Sequence, residues 1–235
     1  MTLPFFYISE YSSENSITLD EDTSRHIVQV LRMGKGEKLN LTDGKGKLLT
    51  CEITDPHKKK CSVTVVQKTE QAPPARHISI AISILKNAYR FEWFLEKATE
   101  IGVAEIIPLI CERTEKDKLR MDRMQSILVS AMLQSQQCWL PELHEPVKFE
   151  DLAVKQFDDF DKLIAHCVDT DNKQKIHQQI SKSSHHLICI GPEGDFTPKE
   201  IELAMHNGFK PVSLGESRLR TETAGVVAAT LLSHI

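Results

Sequence analysis

Paired cysteines, a surplus of basic charge and long apolar runs are all missing from this chain. Its six cysteines (Cys51, Cys61, Cys111, Cys138, Cys167 and Cys189) are widely scattered, with no C-x-x-C spacing. That excludes zinc ribbons and dithiol redox motifs, and no metal-ligand pattern is expected. Free, mostly buried thiols in a reducing compartment are the simplest expectation. No window approaches the roughly 18 apolar residues of a membrane span. The opening residues MTLPFFYISEYSSENS carry no basic stretch ahead of their apolar run, so no secretory signal is expected. A cytoplasmic protein with no membrane anchor follows as the expectation. Neither G-x-x-x-x-G-K-[ST] nor G-x-G-x-x-G occurs, which sets aside the common phosphate- and dinucleotide-binding enzymes.

Basic charge is in deficit: 29 Lys and Arg against 33 Asp and Glu give a net −4. Taken whole, that argues against a polyanionic partner. Taken by segment, residues 1–70 are neutral, 71–125 carry +1 and 126–235 carry −5. The deficit belongs to the last segment alone. Basic residues gather at Arg32, Lys35 and Lys38, at Lys45 and Lys47, at Lys58-Lys59-Lys60, and from Arg113 to Arg123. Such runs are usually solvated faces, yet they are also the candidate phosphate contacts.

What is present is a globular composition, 40% hydrophobic and 26% charged over 235 residues, enough for one large domain or two small ones. The first seventy residues read as short strands at Leu3–Ile8, Glu37–Thr42, Lys47–Ile53 and Cys61–Val66, with Gly and Asp-Gly turns between them. One helix is expected over Asp20–Leu31, with Ile27, Val30 and Leu31 at helical spacing after an acidic first turn. Regular short strands suggest a small β-barrel over residues 1–70. Residues 71–77 form a proline-stiffened linker, and 78–235 a second domain. There strands at Ile78–Leu85, Val103–Ile110, Leu163–Val168 and His186–Ile190 alternate with helices at Arg90–Ile101 and Met121–Gln137. The alternation argues for an α/β fold with a mainly parallel sheet. Tyr89, Phe91, Trp93 and Phe94 either stack bases or pack the core, with Phe94 on the apolar face.

The last fifty residues carry the chemistry. His186–Ile190 runs into Gly191-Pro192-Glu193-Gly194-Asp195-Phe196, and Thr197-Pro198-Lys199-Glu200 then opens a helix with a capping box. A glycine-rich turn between a strand's carboxyl end and a helix N-terminus is where α/β folds bind ligands. Pro211–Leu214 leads into a second loop, Gly215 to Thr223, ahead of the small-residue helix Ala224–Leu232. Two such loops could build one pocket, to which Arg218 and Arg220 would add fixed cations.

GPEG at 191–194 followed by LGESRLRTETA at 214–224 resembles the SPOUT class of S-adenosylmethionine-dependent RNA methyltransferases. More closely, the chain resembles the bacterial 16S rRNA (uracil-N3)-methyltransferase family. Lys86, the stretch Arg90–Val103, Pro108, Cys111-Glu112-Arg113-Thr114 and Gln134-Ser135 match it too, so the likeness spans nearly the whole chain. It implies a PUA-like RNA-binding barrel, a trefoil-knotted α/β methyltransferase domain, a homodimer, and 16S rRNA or the small ribosomal subunit as partner. Carried over by motif, Ile190, Gly191, Pro192, Glu193 and Gly194 with Leu214, Gly215, Ser217, Arg218 and Leu219 would hold S-adenosylmethionine. Asp195 stands where the family more often has glycine.

Methylation at uracil N3 requires loss of the imino proton from a base whose pairing edge is free. A guanidinium would stabilise the charge developing on O2 or O4, with Arg220 the first candidate and Arg113 the second. Glu222 is read as a helix-dipole partner rather than a base. Arg32, Lys35, Lys58, Lys59 and Lys60 are the expected RNA contacts, and no metal is expected. The rival readings are a ribose 2′-O-methyltransferase of the same class and a non-catalytic RNA-binding assembly factor.

Overall fold

A computed structural model describes residues 3–157, 159–168, 174–181 and 183–234. The chain divides into two compact units, residues 1–73 with 132–140, and residues 74–131 with 141–235. The division falls in the proline-rich stretch, but the return of 132–140 to the first unit has no signature in the sequence.

In the first unit, β1 (Phe5–Tyr7), β2 (Ser16–Thr18), β3 (Lys38–Thr42), β4 (Lys47–Asp55) and β5 (Ser62–Glu70) form one sheet, ordered β1-β3-β4-β5-β2. The result is a half-barrel whose edges are β1 and β2. Alternation along β3 and β4 buries Leu39, Leu41, Leu49, Cys51 and Ile53 in a core shared with Ile27 and Val63. Residues 132–140 attach to this unit: Trp139 bridges to Lys45, and its indole N–H donates to the carbonyls of Gln71 and Ala72. Gly46, at φ +95°, leaves room for that indole, since a Cβ there would sit 2.6 Å from Trp139 Cζ2.

The expected helix is only half α-helical. Asp20 caps α1 (Glu21–Arg25) by accepting from the Thr23 N–H, after which His26–Val30 widens into a π-turn closed by Leu31 N donating to His26 O. The extra residue rotates Val30 and Leu31 outward, leaving them 67% and 42% exposed while Ile27 stays fully buried. Helical spacing alone had placed all three on one face.

The second unit is built on an all-parallel sheet. Its strands are β6 (His77–Ser83), β7 (Glu105–Ile110), β8 (Glu142–Leu143), β9 (Val147–Lys148), β10 (Phe160–Ala165), β11 (Gln174–Lys175), β12 (His185–Ile190) and β13 (Lys210–Ser213). Their order is β11-β13-β10-β12-β6-β7-β8, with β9 also pairing β7. Between them run α2 (Ala88–Ile101), α3 (Met121–Gln134), α4 (Phe149–Ala153), α5 (Ile176–Gln179), α6 (Pro198–His206) and α7 (Thr221–Ser233).

Strand β6 shows why both faces are covered. Ala81 joins a core of Phe149, Leu152, Phe196, Ile201 and Ala204 under α4 and α6. Ile82, one residue on, faces α2 and α7, where Gly225 comes so close that a Cβ would lie 2.9 Å from Ile82 Cδ1 and 2.6 Å from Phe94 Cε2. Helix α2 begins at the Asn87 cap and ends at Gly102, in the left-handed region at φ +90°. Phe91 and Phe94 are fully buried, whereas Tyr89 and Trp93 remain exposed, so the aromatic cluster is half core. Five cysteines are buried and Cys167 is exposed, all six as free thiols. Burial pushes the Cys51 thiol up to about 11 and the Cys111 thiol to about 12.

Candidate active site

The strand order makes the pocket. From β10 the chain continues to β12 on one side, then returns to place β13 on the other, so three loops leave adjacent carboxyl ends. Crevices of that kind bind ligands in open α/β sheets. Here they enclose a cavity of about 1010 Å³, lined by residues from all three loops and the start of α7.

The first loop follows β12. Gly191 packs beneath the Phe196 ring, where a Cβ would meet ring and backbone at 3.0–3.1 Å. Phe196 is itself pinned by Phe149, 4.8 Å between centroids. Thr197 and Glu200 form the capping box that opens α6, and the buried Glu200 also accepts from the Glu112 N–H at 2.9 Å. Asp195 sits at φ +64°. Its carboxylate accepts from the Phe196 N–H at 2.9 Å and from the Cys167 N–H at 2.7 Å. The residue standing in place of glycine thus ties the loop after β12 to the loop after β10.

The second loop, Leu214 to Arg220, follows β13. Ser213 Oγ donates to Gly215 O and accepts from Gly215 N, holding Gly215 at φ +147°. Arg218 and Arg220 are both exposed along the cavity, and the Arg220 carbonyl caps α7 by accepting from Ala224 N.

Of the ten residues expected around a methyl donor, all but Gly194 line the cavity. Gly194 instead packs against Arg113, whose guanidinium donates to the Gly194 carbonyl at 2.6 Å. Arg113 therefore braces the first loop from behind while Arg220 borders the cavity. Glu222 is buried with Oε1 3.6 Å from Arg90 Nε, facing α2 rather than the pocket. Ala165, His166 and Cys167, the third wall, carry no glycine signature and become visible only once β10 is placed between β12 and β13.

Lys58, Lys59 and Lys60 lie exposed at the β4–β5 turn, Arg32 and Lys35 on the segment leading to β3. Arg32 adopts φ +56°. Lys59 shares Glu21 with Arg25, at 3.5 Å, a solvent-exposed pair that leaves its cationic head available.

The chain thus joins a half-barrel unit to an α/β unit whose parallel sheet carries a ligand-sized, glycine-lined crevice at its switch point, the arrangement of a ligand-binding α/β protein. Residues 72–233 match the family described as RNA methyltransferase domain, and residues 19–66 the RNA methyltransferase PUA domain. The chain belongs to this RNA methyltransferase family.

Among its relatives is Ribosomal RNA small subunit methyltransferase E of Synechocystis, 30% identical over 94% of this chain and 74% of that protein. A probable rRNA-methyltransferase from Porphyromonas gingivalis superposes with a TM-score of 0.90 at 38% identity, covering 98% and 97% of the two chains. The Neisseria gonorrhoeae Ribosomal RNA small subunit methyltransferase E, solved bound to S-adenosyl methionine, gives 0.87 at 30% identity over 98% and 96%.

Proposed function

We propose that the protein transfers a methyl group from S-adenosylmethionine to N3 of a uracil in 16S ribosomal RNA. The observation that carries this reading is the cavity where nine of the ten motif residues converge, in a chain whose relatives are ribosomal RNA methyltransferases. The cavity suits the donor chemically. Ile190, Val212, Leu214 and Leu219 offer apolar wall to an adenosine, while the backbone of two glycine-bearing loops offers polar edges. When bound, S-adenosylmethionine supplies a methyl group on a positively charged sulfur.

The chain's own residues then have three tasks. Gly191 lets the first loop pack under Phe196, where a Cβ would crowd the ring, and Gly215 lets the second loop take a backbone angle that side-chain-bearing residues rarely adopt. Asp195 and Arg113 keep the loops in one arrangement before the ligand arrives, so binding energy is not spent ordering them. Arg220, exposed on the cavity wall, would stabilise negative charge on the uracil oxygens as the N3 proton leaves. Exposed lysines of the half-barrel would contact phosphates, with the ribosomal small subunit or its RNA as partner and the cytoplasm as the place of action. A trefoil knot at the second loop and a homodimer complete the reading.

Mass spectrometry of rRNA nucleosides from a deletion strain tests the assignment. Loss of 3-methyluridine, restored by the wild-type gene, is expected; loss of a 2′-O-methyl nucleoside instead would refute it. Arg220→Ala should lower turnover by about 100-fold with S-adenosylmethionine affinity retained.

A further inference from the structure

We propose a divalent transition-metal site, with Zn²⁺ as its representative ion, at the amino-terminal edge of the second unit's sheet. It is separate from the donor cavity: none of its residues lines that cavity, and Glu105 sits two strands from β12, level with Ser79 rather than with the Ile82–Ile190 end that borders the pocket.

Its ligands are Glu105, Glu142 and His144, which begin or follow β7 and β8. One donor atom from each lies within 4.8 Å of the other two. His144 Nε2 is 3.8 Å from Glu105 Oε2 and 3.8 Å from Glu142 Oε1. The nitrogen is sealed from solvent and makes no hydrogen bond, because 3.8 Å exceeds hydrogen-bonding reach. It is close to the separation an ion imposes: donors about 2.1 Å from one Zn²⁺ stand about 3.4–3.6 Å apart at tetrahedral to trigonal angles. The two carboxylate oxygens lie within 4.8 Å of each other, and a swing of up to about an ångström by the exposed Glu142 side chain, well within its rotamer freedom, closes the set.

Electrostatics point the same way. Two carboxylates face each other, and among the described residues their ion-pair partners are only His77 and His144. Among the described residues no lysine or arginine lies within ion-pair distance of either carboxylate, so a bound cation would relieve like-charge repulsion. The surroundings are arranged as supports for a ligating carboxylate. His77 Nε2 lies 3.0 Å from Glu105 Oε1, and Ser79 Oγ donates to Glu105 Oε2 at 2.8 Å. The backbones are fixed as well, with Glu142 N donating to Ala104 O and His144 N to Ile106 O. One imidazole and two carboxylates favour Zn²⁺ and its neighbours over Mg²⁺ or Ca²⁺, which prefer all-oxygen shells. With three protein ligands the ion would keep a solvent position and cross-link the edge strand β8 to β7.

The test is titration of tag-free, chelator-treated protein with ZnCl₂ by calorimetry, and with Co²⁺ by absorption. Saturable binding of one ion per chain is expected, with a thermal midpoint that rises with metal concentration. His144→Ala should abolish this and Glu142→Gln weaken it about 10-fold, while S-adenosylmethionine binding stays unchanged in both. Equal metal binding by His144→Ala, the absence of saturable binding in the wild type, or thiolate-to-cobalt absorption pointing to Cys167 would each overturn the proposal.

Discussion

Gly225 offers the sharpest test of how the second unit is packed. In an exposed helix, Gly→Ala would gain about 1 kcal/mol from helix propensity. Here the added methyl would stand 2.6 and 2.8 Å from two atoms of the Phe94 ring and 2.9 Å from Ile82 Cδ1. Both neighbours are fully buried, one on α2 and one on the central strand β6, so neither can swing into open space. Overpacking of a dense core costs about 1–3 kcal/mol, and three contacts under 3.0 Å from two immobile groups put this site at the upper end. The expected balance for Gly225→Ala is therefore about 2 kcal/mol of destabilisation. For a chain of this length that lowers the melting temperature by about 4–8 °C. Because Ala224 lines the cavity, a helix pushed outward should also weaken S-adenosylmethionine binding. The discriminating measurement is a double-mutant cycle with Phe94→Leu, which removes the crowded ring edge. Coupling of about 1 kcal/mol or more, with the pair less damaging than the sum, is expected. A melting temperature that rises in Gly225→Ala, or strict additivity with Phe94→Leu, would refute the close-packing account.

Asp195→Ala removes the tether to Cys167 N and puts a Cβ-bearing residue without a local carboxylate at φ +64°; calorimetry should show S-adenosylmethionine bound about 10-fold more weakly, and wild-type affinity would end the tether argument. Burial holds the His186 imidazole below its usual range, with Asp161 opposing. The neutral form is thus favoured in the folded chain, so its contribution is complete above about pH 6.5 and declines as pH falls through that value, with a slope of up to about 1.4 kcal/mol per pH unit. Urea midpoints at pH 7.5 and 5.5 should converge in His186→Gln, and an unaltered pH dependence would contradict this. Neutralising Lys58, Lys59 and Lys60 together should reduce the log–log salt slope of rRNA binding by about 2–3, as expected for lost phosphate contacts; an unchanged slope would remove them from the interface.

Much of this molecule is legible before any coordinates. The β-branched run Ile78–Leu85, observed as a strand over His77–Ser83, and the capping box at Thr197–Glu200 are local signals, and local physics decides both. The two glycine-bearing loops were readable for the same reason. His166 and Cys167 were not, because their place at the cavity depends on β10 pairing with strands 20 and more residues further along. The π-turn at His26–Val30 escaped periodicity because one inserted residue rotates everything after it. Glu105 and His144 gave no spacing signal at all; parallel pairing of β7 with β8 brings them together.

The returning arrangement of β12 and β13 around β10 also bears on how the site comes into being. Its walls are drawn from residues 165 to 224, and β6 must wait for a partner more than a hundred residues downstream. Contacts that distant make for slow folding. During synthesis the half-barrel's five strands can be complete, apart from the 132–140 segment, long before the cavity exists. A nascent chain would therefore own its RNA-binding unit well before it could hold a methyl donor, and any chain interrupted ahead of Ala224 would lack part of the cavity wall.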